Sequence, residues 1–285
     1  MASRDNPDPA ERRAYFPSTT SLAHAPQVTD YDGPSSPPDN PSVGRILMVG
    51  TDERYLPIKG DMWFSTGNHP IETLVPLLHL EAAGYDIDVA TLSGRMVKFE
   101  HWAFPSEDEA VEGIYERFES KFANPLTLSE ISDRDLDEYT AIYFPGGHGA
   151  MIGLPQSPEV ARVLRWIQDR DRTLIAICHG PAALAAGGLG GQENPFAGFE
   201  TAAYPDEVDS EPSITSGYLP GEMTWYVGEA LQAQGITVIN HDVSGLVHRD
   251  RNFVSGDSPQ AANALGRLAV EYLSERRSAA DPHES

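Results

Sequence analysis

The chain has 285 residues, 40% hydrophobic and 22% charged, enough for one large soluble domain or one domain enlarged by insertions. Its 43 acidic residues outnumber 20 basic ones, and the net charge of −23 repels nucleic-acid phosphates and anionic lipid, which argues against a basic-groove binder of either. The longest apolar runs, 46–49 and 174–178, fall far short of the ~20 residues that cross a bilayer, and the N-terminus has no apolar core of a secretory signal.

Residues 1–44 hold eight of the 23 prolines and read as an extended arm or linker, with Tyr15, Phe16 and Leu22 as apolar anchors. The stretch 32–39 can neither continue a helix nor join a central strand. From Arg45 to Ser285 short apolar runs alternate with helical patterns. Residues 45–50 read as a buried strand, and 69–84 as a helix with Ile71, Leu74, Val75 and Leu78 on one face and Gly84 at its end. A strand at 86–92, a polar helix at 107–122 and a buried strand at 139–144 follow, then the turn Pro145-Gly-Gly-His-Gly149. The pattern continues with a helix at 158–170, a strand at 173–177 and a small-residue helix at 180–186. The last third predicts strands at 199–204 and 236–240 around a helix at 222–234, a hairpin from 246–247 and 253–254, and a closing helix at 259–276. This alternation predicts an α/β domain over 45–285: an open, mostly parallel, flavodoxin-like sheet with helices on both faces. Ligands of such sheets sit at the carboxyl ends of the strands.

The single cysteine, Cys178, rules out intramolecular disulfides and Cys-rich zinc sites and suits a reducing cytoplasm. Only Lys59, Lys98 and Lys121 among the basic residues are lysines, so the acidity reads either as the solvated surface of an arginine-using protein or as adaptation to high salt.

Cys178 stands where an apolar strand gives way to small residues. A strand-to-helix elbow holds its residue in a sparsely allowed conformation above the sheet, and a helix N-terminus favours thiolate. The alternative is a buried, inert cysteine. A nucleophilic thiol needs proton-handling neighbours. His179 is adjacent in sequence, which does not by itself bring the side chains together. Asp206 follows a predicted strand and is either the group that orients His179 or a turn residue. Glu72 is either an acid/base group beside the thiol or a helix N-terminal charge. The N–H groups of Gly146 and Gly147 are candidate oxyanion donors, and His148 either lines the same mouth or hydrogen-bonds the turn.

Ala176-Ile-Cys-His-Gly-Pro-Ala182 resembles the nucleophile elbow of the PfpI/ThiJ superfamily, within the class I glutamine-amidotransferase-like folds. Asp52-Glu-Arg-Tyr-Leu-Pro57, Phe64-Ser-Thr-Gly-Asn-His-Pro-Ile-Glu-Thr73, Pro145-Gly-Gly-His-Gly-Ala150, Leu219-Pro-Gly-Glu-Met-Thr-Trp-Tyr226 and Ser255-Gly-Asp-Ser-Pro-Gln-Ala-Ala-Asn-Ala264 are similar to its heat-shock chaperone, glyoxalase III and protein deglycase branch. The resemblance spans nearly the whole chain. It implies Cys178 as nucleophile, His179 and Asp206 completing a triad, Glu72 hydrogen-bonded to the thiol, and oxyanion contacts from Gly147 and the His179 amide. It also implies a homodimer, and a smaller second domain built from insertions near 55–68 and 94–135. Some members bind zinc through two histidines and a glutamate. The matching positions here are Glu81, Asp86 and Phe118, so no structural zinc is expected.

The activity so implied needs no cofactor: methylglyoxal or glyoxal becomes lactate or glycolate through a Cys178 hemithioacetal, with removal of early glyoxal adducts by the same chemistry. The partners expected are small dicarbonyl aldehydes and glycated or unfolded proteins. A dimeric holdase chaperone is the alternative from another class, and a cysteine peptidase rests on the triad alone.

Overall fold

A computed structural model describes residues 4–34 and 42–280. Seven strands form the main sheet: β1 (Gly44–Val49), β2 (Tyr85–Thr91), β3 (Leu126–Thr127), β4 (Tyr139–Phe144), β5 (Thr173–Ile177), β6 (Val247–Asp250) and β7 (Phe253–Gly256). They lie side by side in the order β6-β7-β5-β4-β1-β2-β3. Every neighbouring pair is parallel except the β6–β7 hairpin. A sheet of this kind needs apolar side chains on both faces, and successive residues of a strand supply them alternately. Leu47, Val49, Ile142, Phe144, Leu174 and Ala176 join one core cluster. Their neighbours Ile46, Met48, Ala141, Tyr143, Ile175 and Ile177 join the other.

Helices close both cores. α1 (Pro70–Ala82) and α2 (Glu109–Ala123) cover one face with the closing helix, and α3 (Pro158–Asp169) covers the other. Among the short helices of the last third, α4 (Asp206–Asp209) and α5 (Val227–Gln232) bear on the site, and the chain closes with α6 (Ala262–Ala280). Ser157 starts α3 by accepting the Val160 N–H, with Pro158 at the first helical position. Gly84, at φ +88, ends α1.

The main differences from expectation lie beyond residue 179. The strands predicted at 199–204 and 236–240 shrink to Glu200–Thr201 and Thr237–Val238, which pair with each other outside the main sheet. Side chains replace the ladder beyond them, because the Ala202 and Ala203 N–H groups bond to Ser255 Oγ and Asn240 Oδ1. The helix predicted at 222–234 begins only at Val227. The segment that begins at Gly180 winds as 3₁₀ turns and is broken by non-helical backbone at Leu189 and Gly190.

Tyr55–Ile58 and Met62–Ser65 form an antiparallel pair in the first expected insertion, and Ala14–Tyr15 of the arm adds to it in parallel. The arm is held to the body: Ser65 donates to Asp8, Ser18 N–H to the Gly217 carbonyl, and Asn263 to the Asp30 carbonyl. The proline-rich residues 35–41 lie outside the described residues. Among those described, no helix is long and apolar enough to cross a membrane.

Candidate active site

β5 ends at Ile177, and the next residue, Cys178, has φ +58, left-handed backbone that a non-glycine residue adopts only under constraint. The constraint is visible on both sides: Cys178 N–H donates to the Gly256 carbonyl at 2.8 Å, and Tyr204 N–H to the Cys178 carbonyl at 2.9 Å. The elbow expected from sequence is therefore present, but the thiol is not exposed above the sheet. Cys178 is 4% accessible, covered by the turn after β4 and the start of α1.

Sγ of Cys178 lies 3.2 Å from His179 Nδ1. The opposite ring nitrogen, Nε2, lies 2.6 Å from Oδ2 of Asp209. This corrects the expectation for Asp206: the carboxylate against His179 is Asp209, at the end of α4. Asp206, at the start of that helix, points the other way and accepts the Gly228 and Glu229 N–H groups at 2.7 Å, capping α5. The late start of α5 and the absence of Asp206 from the triad thus have one cause. His148 completes the cluster, with Nε2 3.0 Å from Oδ1 of Asp209 and its ring centroid 3.8 Å from that of His179.

Glu72, in the first turn of α1, is fully buried beside the Cys178 thiol and the Gly147 N–H, and neither carboxyl oxygen has a partner at full hydrogen-bond geometry. The turn 145–149 needs its glycines for this approach. A Cβ on Gly146 would lie 2.1 Å from Glu72 Oε2 and 2.7 Å from Cys178 Cβ. Gly147, at φ +94, aims its N–H at the thiol and at Glu72.

The electrostatics follow from burial. Burial pushes Glu72 well above the usual carboxylate range, favouring the acid form that can donate a proton. Burial and then Glu72 push the Cys178 thiol up, against the expected lowering by a helix N-terminus. The segment after it is 3₁₀, not a regular α-helix. Burial, with His148 second, lowers His179 to about 4, so its ring is neutral at neutral pH. With Nε2–H donating to Asp209, the Nδ1 lone pair faces the thiol. Burial works against the charged form of His148, yet Asp209 and Glu100 together raise its pKa. Burial opposes ionisation of Asp209 too, but the two imidazoles hold it well below the carboxylate range.

His148, His179 and Asp209 place potential ligand atoms within 4.8 Å of one another. Those atoms are engaged in mutual hydrogen bonds, two ring nitrogens converging on one carboxylate, which is the geometry of a proton relay. At the positions matched to a zinc cluster the residues do not fit a metal. Arg117 donates to Glu81 at 2.7 Å, and the third position is the buried phenyl ring of Phe118.

Sequence reading brings Cys178, His179, Glu72, Gly146, Gly147 and His148 to one place, and so does the fold. It misses Asp209, whose signal is spacing: the acid lies one helical turn beyond Asp206 in Asp206-Glu-Val-Asp209. It also misses Glu100, a fully buried carboxyl next to the apolar Phe99.

A model of the DJ-1/PfpI family matches residues 63–195, the span that carries Glu72, the 145–149 turn and Cys178. The chain is 49% identical over 270 residues to the protein/nucleic acid deglycase HchA of Escherichia coli O1:K1, covering 93% of this chain and 94% of the relative. The same identity and coverage hold for HchA of Escherichia coli O157:H7. Among solved structures, glyoxalase III from Candida albicans matches with a TM-score of 0.64 at 18% identity, over 81% of this chain and 98% of that one, a likeness of fold. With its sheet, its elbow and this likeness over nearly its full length, the chain belongs to the DJ-1/PfpI family.

Proposed function

We propose that the chain is a cofactor-independent glyoxalase III and deglycase. The observation that carries this reading is the buried thiol of Cys178, set between the His179 imidazole at 3.2 Å and the buried Glu72 carboxyl. The sulfur attacks the aldehyde carbon of methylglyoxal while Nδ1 of His179 takes the thiol proton. The developing oxyanion is met by the Gly147 N–H and by the proton of Glu72. Glu72 or His179 then carries the C1 hydrogen, as a proton, to the neighbouring carbonyl through an enediol. The resulting thioester is hydrolysed to lactate, so the net change is addition of one water. Asp209 holds the His179 tautomer and stabilises the ring while it carries the proton.

Release of an early glyoxal adduct from an amine or thiol uses the same hemithioacetal. The relatives are named for acting on protein and nucleic acid. With a net charge of −23, this chain is suited to small adducts and nucleotides rather than to docking along a phosphate backbone. A buried thiol suits small aldehydes and weighs against a peptidase. A holdase needs exposed apolar surface, and the described residues expose five large apolar side chains, Val28, Val43, Trp63, Met96 and Leu126. We further infer a homodimer in a reducing cytoplasm, resting on the family resemblance and the lone cysteine.

Purified protein is incubated with methylglyoxal, without glutathione or added metal, beside Cys178→Ala. The expected result is lactate from the wild type and none from the variant. Equal aldehyde loss in both, or no lactate from the wild type, would overturn the reading.

A further inference from the structure

Eight buried side-chain nitrogen and oxygen atoms among the described residues lack a hydrogen-bond partner, and five of them belong to His69, Glu72, Glu100 and Trp102. Such atoms are rare in folded proteins and call for a reason. Glu72 has one in the chemistry above. Glu100 is as deeply buried and has none.

Three loops meet at Glu100. Its own N–H donates to the Asn68 carbonyl at 3.0 Å, and the Gly149 N–H donates to the Gly67 carbonyl at 3.0 Å, locking 66–68 against 99–100 and 147–149. Within this junction Oε1 accepts the Thr66 hydroxyl at 2.6 Å, Oε2 has no partner at full hydrogen-bond geometry, and the carboxyl faces the backbone N–H of His148. Beyond His148 the contacts run in series: Asp209 at 3.0 Å, His179 at 2.6 Å from Asp209, and Cys178 at 3.2 Å from His179.

We propose that Glu100 is a positioning residue of this site: locked at the loop junction beside His148, it acts through His148 and Asp209 on the His179 ring that faces the thiol. The inference rests on Cys178 as the nucleophile and not on the identity of its substrate.

The surrounding groups allow this. Asp209 and Glu100 are the two anions that raise His148, and His148 is the nearest charge that lowers His179. Glu100 itself is pushed up by burial to about 7, with His148, Thr66 and Arg54 acting in the opposite direction, so its charge changes in the neutral range. His69 faces the same cluster but is held neutral, lowered to about 3 by burial. Burial raises Glu72, Tyr204 and Tyr218, favouring the uncharged form of each.

The test follows alkylation of Cys178 by iodoacetamide against pH, which needs no aldehyde and reads one thiol because the chain has one. The wild-type rate is expected to carry an inflection near 7. In Glu100→Gln that inflection disappears, and the acid limb moves to higher pH by about one unit, the size of shift a single close charge produces. Thr66→Val keeps the carboxyl but removes the hydroxyl that favours its ionised form, so the inflection survives at higher pH. An unchanged inflection in Glu100→Gln, or in Thr66→Val should the first variant not fold, would overturn the proposal, as would a rate scaled down equally at every pH. Parallel lactate assays keep the two ideas separate: altered alkylation profiles without lactate would reject the glyoxalase reading alone.

Discussion

Replacing Asp209 by asparagine separates the geometry found here from the one expected from sequence. The carboxylate accepts N–H donors from two imidazoles, one on each oxygen, at 2.6 and 3.0 Å. An amide has one acceptor oxygen, so its NH2 must face a ring nitrogen that carries a proton. Either His179 or His148 then loses its partner or changes tautomer. If His179 flips, Nδ1 carries a proton toward the thiol and cannot accept another. A tautomer error of this type costs about 10⁴ in kcat, by analogy with serine proteases. Removing one partner from a buried charged cluster costs about 3–5 kcal/mol of stability, or roughly 10 °C in Tm for a chain of this size. Asp206→Asn is the control. It keeps an oxygen for one of two helix-capping N–H groups and costs at most about 1 kcal/mol, with turnover close to wild type. Both variants are measured by lactate formation and thermal melting at pH 7.5. Lost turnover in Asp206→Asn with retained turnover in Asp209→Asn would refute the assignment.

Gly146→Ala places a methyl 2.1 Å from a Glu72 oxygen and 2.7 Å from Cys178 Cβ; we expect about 1–3 kcal/mol of destabilisation and at least a tenfold loss of kcat as the carboxyl is pushed from the thiol, measured by urea melts and lactate assays. Burial holds His69 near 3 against about 6.5 in an unfolded chain, so between those values the unfolded state binds a proton that the native state does not, and His69 makes folding less favourable as pH falls through that window. His69→Gln is therefore expected to be about 2 kcal/mol less destabilising at pH 5 than at pH 7, and equal urea midpoint shifts at the two values would contradict this. Screening of the net charge of −23 is expected to raise Tm from low to molar KCl, where the Debye length falls to about 3 Å; a flat curve would remove the salt-adaptation reading. Elemental analysis is expected to find no stoichiometric zinc, because Arg117 occupies Glu81 and Phe118 offers no ligand.

The parts of this molecule that are legible in the sequence are those where a local signal and the tertiary environment agree. β4 and β5 have the bounds that their apolar runs predict, because a central parallel strand is buried on both faces and its sequence says so without reference to partners. Cys178 is legible for a similar reason: an apolar run that stops at Cys-His-Gly-Pro leaves few backbone conformations for the residue at the junction, and φ +58 is the one adopted. The last third is less legible because its hydrogen bonds run through side chains. Ser255 and Asn240 end a strand that apolar content would have prolonged, and the Asp206 carboxyl fixes where α5 begins. That last contact also explains the misplaced acid. From sequence, Asp206 and Asp209 differ only by one helical turn, and nothing local says which faces Cys178. The choice is made by α5, whose bare N-terminal amides draw in the first carboxylate and leave the second to the two histidines. Glu100 is hidden for the same reason. A glutamate next to Phe99 reads as a surface residue until the Thr66 and His148 loops close over it. The identity of the nucleophile is therefore a local property of this chain, whereas the groups that set its protonation are properties of the assembled fold.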